Sequence, residues 1–290
     1  MPFLRRIDLA MRLAGVFPLS PRIILPRRQF LKGSAALAAY AALEGRADGT
    51  VPLGFWGAAA SAPFTPASLP GLSLWLDASN AASITSSGGA VSQWNDLSGN
   101  GNNVTQSVSG AKPNIATAVA PSGLNAMYFV SSPTVQFFNL ASTINLDSAG
   151  YTLFAVVKRV STVRIACILG STLSSGNKYY GLWYSDSYLY TTNQSYQYAG
   201  TTNHAVSAYE TITWTMSSAN VGSSYFNASL DSGGTASSSR TGSIAYIASG
   251  AQTAYNTNAY FGEIVLCSGV LSSGNISATQ AYLKAKWGTP

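Results

Sequence analysis

From Leu72 onward the chain is a succession of short runs of β-branched, aromatic and aliphatic residues punctuated by Gly, Ser and Asn. "LSLWLDA", "VSQW", "AMYFV", "YTLFAVVKR", "VRIACILG", "YYGLWY", "YLYTT", "TITWTMS", "SYFNASL" and "AYFGEIVLC" all have strand length. Their spacing predicts a many-stranded antiparallel sandwich or barrel and not βαβ units. Thr211, Thr213 and Thr215 alternate with Ile212, Trp214 and Met216, so that strand is expected to have one wet and one packed face. "YYGLWYSDSYLYTT" reads as a hairpin turning at Ser185, Asp186 and Ser187. The period changes only at the C-terminus. There Ile276, Tyr282, Leu283 and Trp287 fall at near-helical spacing, with Ser and Asn ahead to cap a helix and Gly288 to stop it. No repeat of fixed period is visible.

Composition agrees with this pattern. At 290 residues the chain has room for one large all-β domain or two ordinary ones. Only 9% of residues are charged, and 27 Gly and 16 Tyr supply turns and β faces. The net charge of +6 suggests a nucleic-acid partner until it is divided along the chain. Residues 1–63 hold eight bases against three acids, and the remainder holds eight against seven. The body is therefore nearly neutral and has no electrostatic footprint for phosphates.

The basic charge belongs to the front of the chain. "PRRQFLKG" places Arg27 and Arg28 ahead of Phe30, Leu31 and Lys32, and "SAALAAYAAL" follows. This closely resembles a twin-arginine translocation signal, read by its translocase, and implies periplasmic or extracellular location. The apolar run is too short for a permanent anchor. Cleavage after Ala47 satisfies the small-x-small rule, and Ala60-Ser61-Ala62 is the other candidate; an uncleaved basic arm is the alternative. The expected organisation is a signal region at 1–47, an Ala/Gly/Pro linker at 48–68 and one domain at 69–290. Cys167 and Cys267, each in a β-type run, read either as buried thiols or as a late disulfide.

"LPGLSLWLDAS", "VSQWNDLSGNGNNVTQ", "YTLFAVVKR", "SYFNASL" and "FGEIVLCSGVLS" followed by "AYLKAKWG" occur in an order that resembles the LamG-type branch of the concanavalin A-like lectin and glucanase superfamily. The resemblance covers residues 69–290. It implies a two-sheet antiparallel jelly-roll sandwich with one short C-terminal helix. It also implies a glycan-binding, adhesion or virion module or, in a separate branch, a glucan hydrolase. In relatives the segment around Asp96 is a strand end and turn. The local chemistry agrees, since Gly99 and Gly101 permit positive φ, Asp96 and Ser98 can bond the turn backbone, and Trp94 can pack inward.

Candidate chemistry is sparse. A hydrolase of this kind needs two carboxylates about 5 to 9 Å apart, commonly as Glu-x-Asp-x-x-Glu, and no such run exists. Glu210 and Glu263 each stand alone and read as edge or cap residues, with Glu263 structural. His204 is the single histidine and no Gly-x-Ser-x-Gly elbow is present, so no enzyme is expected. No cofactor is required. Asp96, Asn100 and Asn102 make a weak calcium candidate, short of the six to eight oxygens calcium wants. The strongest binding signal is aromatic: Tyr179, Tyr180, Trp183, Tyr184, Tyr188, Tyr190, Tyr196 and Tyr198 crowd together among Asn177, Asp186, Asn193 and Gln194. Rings suit the apolar faces of sugars and amides suit their hydroxyls. Tyr184, Asp186, Tyr188, Tyr190 and Asn193 are the expected glycan-binding set, with Trp183 as core; a wholly structural use of these rings is the alternative. An exported non-catalytic module binding glycan or another surface partner leads. A phage virion structural or receptor-contacting protein is the alternative, and a glycosidase ranks below both.

Replacing Arg27 and Arg28 together by Lys keeps the charge and removes the forked guanidinium geometry. Precursor is then expected to accumulate inside the cell, measured by fractionation and immunoblot; unchanged secretion would refute the signal.

Overall fold

The computed structural model describes residues 63–146, 150–160, 165–171, 178–184, 189–193, 196–199, 206–235, 243–250 and 257–290. The signal residues Arg27, Arg28, Phe30 and Leu31 lie outside them. Among the described residues the strands are, in chain order, β1 (Leu72–Asp77), β2 (Ile84–Ser87), β3 (Ala90–Trp94), β4 (Val104–Thr105), β5 (Asn114–Ala116), β6 (Ala126–Phe129), β7 (Phe138–Asn145), β8 (Tyr151–Arg159) and β9 (Ile165–Gly170). They continue with β10 (Lys178–Tyr184), β11 (Leu189–Asn193), β12 (Tyr196–Ala199), β13 (Glu210–Met216), β14 (Val221–Phe226), β15 (Ser229–Thr235), β16 (Ser243–Ile247) and β17 (Ala259–Ser268). One helix, α1 (Ser273–Trp287), ends the chain.

Every strand pairing is antiparallel, and the strands form a two-layer sandwich. One layer runs β15–β14–β13–β8–β17, with β6 and β1 side by side along the far edge of β17. The other runs β2–β3–β4–β7–β16–β9–β10–β11–β12. The short β5 pairs with both β3 and β6 and joins the layers along one side. A single core cluster fills the space between them, with Trp94 and Phe138 of one layer meeting Phe129 and Phe261 of the other. The compact unit spans Pro63–Pro290. Within it Phe64 packs on the core and meets the Tyr282 ring edge-on at 6.0 Å.

β13 differs from expectation. All seven of its residues are buried, including Thr211, Thr213 and Thr215. The threonine face is dry because α1 lies over it. Thr213 Oγ1 accepts from Gln280 Nε2 at 3.1 Å, and Thr211 Oγ1 shares a hydrogen bond with Thr289 Oγ1 at 2.8 Å. β8 and β17 are covered on both faces for the same reason, which explains their nearly unbroken apolar runs. The helix is capped by Ser272, whose hydroxyl accepts from Asn275 N–H, and ends at Gly288 in the left-handed conformation. It buries Ile276, Thr279, Gln280, Leu283 and Trp287, a stripe spaced by three and four residues.

What ties the helix down is polar. Glu263 of β17 is fully buried, and its two oxygens receive four donors. Oε1 accepts from Trp75 Nε1 at 2.7 Å and from the Tyr282 hydroxyl at 3.1 Å. Oε2 accepts from Lys286 Nζ at 2.7 Å and from Trp287 Nε1 at 2.8 Å. Lys286 also donates to Asp77 Oδ2 at 2.6 Å and to the Tyr282 hydroxyl at 3.1 Å, which uses all three of its protons. Gly262 makes room for this arrangement. A Cβ there would stand 2.9 Å from the Trp287 ring, so any side chain would force the helix off the sheet. The edge or cap role expected of Glu263 is thus replaced by a buried centre joining β1, β17 and α1. Glu210 is buried as well, not a cap.

Glu263→Ala strips the acceptor from four donors and is expected to cost about 3 to 5 kcal/mol, the usual penalty for breaking a buried ion pair. The midpoint of urea unfolding at unchanged m-value measures it. A cost under about 0.5 kcal/mol, as for a surface substitution, would show that α1 does not depend on this centre.

Candidate binding site

Beyond the end of the helix, the outer face of the same layer carries a cross-strand row of half-buried side chains that ends on a buried tyrosine. In β6, Met127 and Phe129 point into the core, which leaves Tyr128 on the outer face. β17 does the same with Tyr260 between Ala259 and Phe261, and β8 with Lys158, its one partly exposed residue. Tyr260 pairs with Tyr128 on one side and with Lys158 on the other. Tyr209 completes the row just ahead of Glu210, which pairs with Val157. Along β17 this row is the next outward rung after Glu263, about 7 Å away by strand geometry.

Tyr128 and Tyr260 stack at 4.4 Å with 18° between their planes. Lys158 Nζ lies 5.3 Å from the Tyr260 ring centre and 5.5 Å from that of Tyr209, within cation–π range of both. The Tyr128 hydroxyl reaches Asn258 Oδ1 at 3.3 Å. The Tyr209 hydroxyl is buried and has no hydrogen-bond partner. Burial, and then the neighbouring Tyr260, raise the pKa of both Tyr128 and Tyr209, so these phenols stay protonated and can donate as well as accept. No carboxylate pairs with Lys158 among the described residues.

Of the residues expected from sequence to bind glycan, Asp186 and Tyr188 lie outside the described residues. The backbone confirms the ribbon on which the others stand: Trp183 pairs with Leu189, Leu182 with Tyr190, and Lys178 with Asn193. Asn193 is thus at the far end of the ribbon from Tyr184, about 20 Å along the strand, and not beside it. The ribbon extends the second layer through β12, which pairs only with β11 among the described strands.

Asp96, Asn100 and Asn102, the calcium candidates, do meet on one turn, where the chain itself engages them. Asp96 Oδ1 accepts from Trp75 N–H and Ser98 N–H, each at 2.9 Å. Its Oδ2 accepts from the Ser98 hydroxyl at 2.7 Å and Asn102 N–H at 3.0 Å. Asn100 Nδ2 donates to Leu72 O at 2.7 Å and Asn102 Nδ2 to Ser73 O at 2.8 Å. Gly99 and Gly101, at φ 87° and 74°, allow the chain to double back. The loop fastens β3 to β1, and Trp94 is fully buried beside it. His204 lies outside the described residues. No group of three or more His, Cys, Asp or Glu gathers as a metal site among the described residues.

The remaining titratable groups are held away from reactivity. Cys167 and Cys267 are both buried thiols, not a disulfide. Burial pushes the Cys267 thiol up to about 12, far from the thiolate that a nucleophile needs. Burial raises Tyr282, with the Glu263 charge adding to it. For Lys286 burial works against the ammonium, but Glu263 and Asp77 outweigh it and raise its pKa. Burial also pushes the Glu263 carboxyl upward, with Asp77 adding to it, while Lys286 and Trp287 pull it back. Four donors on its two oxygens, one of them an ammonium, fit the ionised form, and that charge holds Lys286 protonated.

The sequence reading missed Tyr128, Lys158, Tyr209 and Tyr260. A signal was present, since Tyr128, Lys158 and Tyr260 are each the polar position within an otherwise buried alternation.

Comparison with known proteins adds two findings. Residues 25–43 match the family model for the TAT (twin-arginine translocation) pathway signal sequence, a span that contains Arg27, Arg28, Phe30 and Leu31. The chain therefore carries a signal for export across the cytoplasmic membrane, to the periplasm or beyond. No curated protein matches the chain. Among solved structures, the binding domain of botulinum neurotoxin DC in complex with rat synaptotagmin II has a TM-score of 0.53 at 12% identity, over 76% of this chain and 55% of its own. A botulinum neurotoxin type C structure, whose cell entry is dependent upon interaction with two ganglioside molecules, has 0.50 at 13%, over 73% and 51%. A mutant Trypanosoma rangeli sialidase displaying trans-sialidase activity has 0.48 at 15%, over 76% and 34%. The chain spans about half the length of the two neurotoxin chains and a third of the sialidase. The two neurotoxin likenesses show an all-β sandwich. No LamG or concanavalin A-like family model matches, and nothing found supports the virion alternative.

Cys267, Tyr209, Tyr282 and Lys286 all keep their protons to higher pH when folded than they do unfolded, where thiol, phenol and ammonium titrate near about 8.5, 10 and 10.4. The folded state binds more protons in that window, so stability is full below it and falls as pH rises through it. Melting temperature is expected to be flat to about pH 8.5 and then to drop, thiol first. A curve level to about pH 11 would contradict these burials.

Proposed function

We propose that the protein is an exported, non-catalytic β-sandwich module that binds glycan on the outer face of the helix-bearing layer. The observation that carries this is the row Tyr128, Tyr260 and Lys158, backed by the buried Tyr209: stacked phenol rings, a cation and Asn258 at a half-buried surface. Aromatic rings beside a few fixed polar groups match a sugar's apolar face and hydroxyl rim. The engaged carboxylates of Asp77, Asp96 and Glu263 support a binding role over a hydrolytic one. The likeness to neurotoxin binding domains, one of them in a toxin whose cell entry depends on gangliosides, supports the reading at the level of fold. A LamG-type placement, and the Tyr184 to Asn193 ribbon as a second glycan surface, belong to the same proposal.

The exported protein is expected to retain members of a glycan array. Tyr128→Ala should weaken its best ligand about tenfold, the worth of one stacked aromatic contact, with an unchanged circular dichroism spectrum. Retention of no glycan would refute the function. Loss of binding in Tyr188→Ala but not in Tyr128→Ala would move the site to the ribbon.

A further inference from the structure

We infer that the ligand at this row is an acidic glycan, with Lys158 and the phenol hydroxyls holding the anionic group of the sugar; the inference rests on the glycan-binding reading above.

A neutral sugar hydroxyl both donates and accepts, so a site built for it carries both kinds of partner. The fixed charge in this row is Lys158, which only donates, and the phenols of Tyr128 and Tyr260 beside it can turn to donate as well. The one amide oxygen at hand, Asn258 Oδ1, already accepts from Tyr128 at 3.3 Å. A carboxylate or sulfate accepts several hydrogen bonds and donates none, which is the complement of this set.

Charge points the same way. The carboxylates nearest in the layer are committed elsewhere. Asp77 and Glu263 are paired with Lys286, and Glu210 acts on the buried Arg159, whose pKa burial lowers and Glu210 raises back. Lys158 is thus a cation answered only by ring faces. The second, independent observation is the Tyr209 hydroxyl. Leaving a buried hydroxyl unbonded is unfavourable, and nothing in the packing requires it, since phenylalanine would fill the same space. The hydroxyl is closed to solvent, so an incoming anion would satisfy it only with a turn of the Tyr209 side chain. The anion could be a uronate-type carboxylate or a sulfate ester, and the ring bearing it would rest against Tyr128.

The test uses the full exported protein in titration calorimetry. The probes are an oligouronate, the same oligosaccharide with its carboxylates reduced to alcohols, and a sulfated counterpart. The charged probes are expected to bind at least about tenfold more tightly than the reduced one, with an affinity that falls as salt rises. Whichever charged probe is favoured identifies the anion. Lys158→Met, which keeps the aliphatic stem over the rings, should abolish the preference by weakening the charged probes far more than the reduced one. Tyr209→Phe should weaken the charged probe about threefold or more without lowering the melting temperature. Equal affinity for charged and reduced probes, or a charge preference that survives Lys158→Met, overturns this inference and leaves glycan binding standing. Failure to bind any glycan overturns both.

Discussion

A single ionised carboxylate in a dry interface organises this fold. Burying Glu263 alone would be prohibitive, because a charge taken out of water needs both an opposite charge and a full set of hydrogen bonds. The protein meets both requirements from three directions: Trp75 from β1, Tyr282, Lys286 and Trp287 from α1, with Asp77 sharing the ammonium. None of these partners can be supplied by another residue without moving a whole element. The helix therefore has one register on the sheet, although its apolar stripe alone is short. Gly262 follows from the same constraint, since the indole that donates to Glu263 occupies the space a side chain would need.

This centre also joins the beginning of the domain to its end. β1 pairs with β17, and Trp75 is 188 positions from the carboxylate it serves. The outer layer cannot close until the last fifteen or so residues are available to cover β8, β13 and β17. For a chain that carries a twin-arginine signal, a route that moves proteins already folded in the cytosol, such closure makes the finished fold depend on α1 being in place. The two thiols suit that itinerary. Both are buried in the reduced form, and the scaffold is held by a charged centre and its core without a covalent bridge.

The strands were largely legible because alternation and turn residues act over a few positions, and so were the helix and the Asp96 turn. Where reading the residues failed, the missing information was long-range. The Thr face of β13 looked wet because threonine is compatible with water; only Gln280 and Thr289, more than 65 positions away, make it dry. Glu263 looked like an ordinary acid within a strand because its four donors are scattered over β1 and α1. The candidate site was missed for a related reason. Aromatic density along the chain peaks at Tyr179 to Tyr198, whereas strand pairing assembles Tyr128, Lys158, Tyr209 and Tyr260 from four separate segments.

The scarcity of charge gives that row its meaning. Past residue 63 there are eight bases and seven acids, and the described acids mostly build the scaffold: Asp77 and Glu263 hold the helix, Asp96 holds a turn, and Glu210 is buried near Arg159. Bases treated the same way would leave the surface nearly featureless, as the composition first suggested. Lys158 departs from that rule. It stands on the outer face that α1 covers, one rung from the Glu263 that Lys286 pairs with, yet where Lys286 is enclosed by two carboxylates and a phenol, Lys158 is enclosed by rings alone. Two lysines, one on the covering helix and neutralised by the chain, the other on β8 and not, mark the difference between a charge that holds the fold together and a charge that remains available to something outside it.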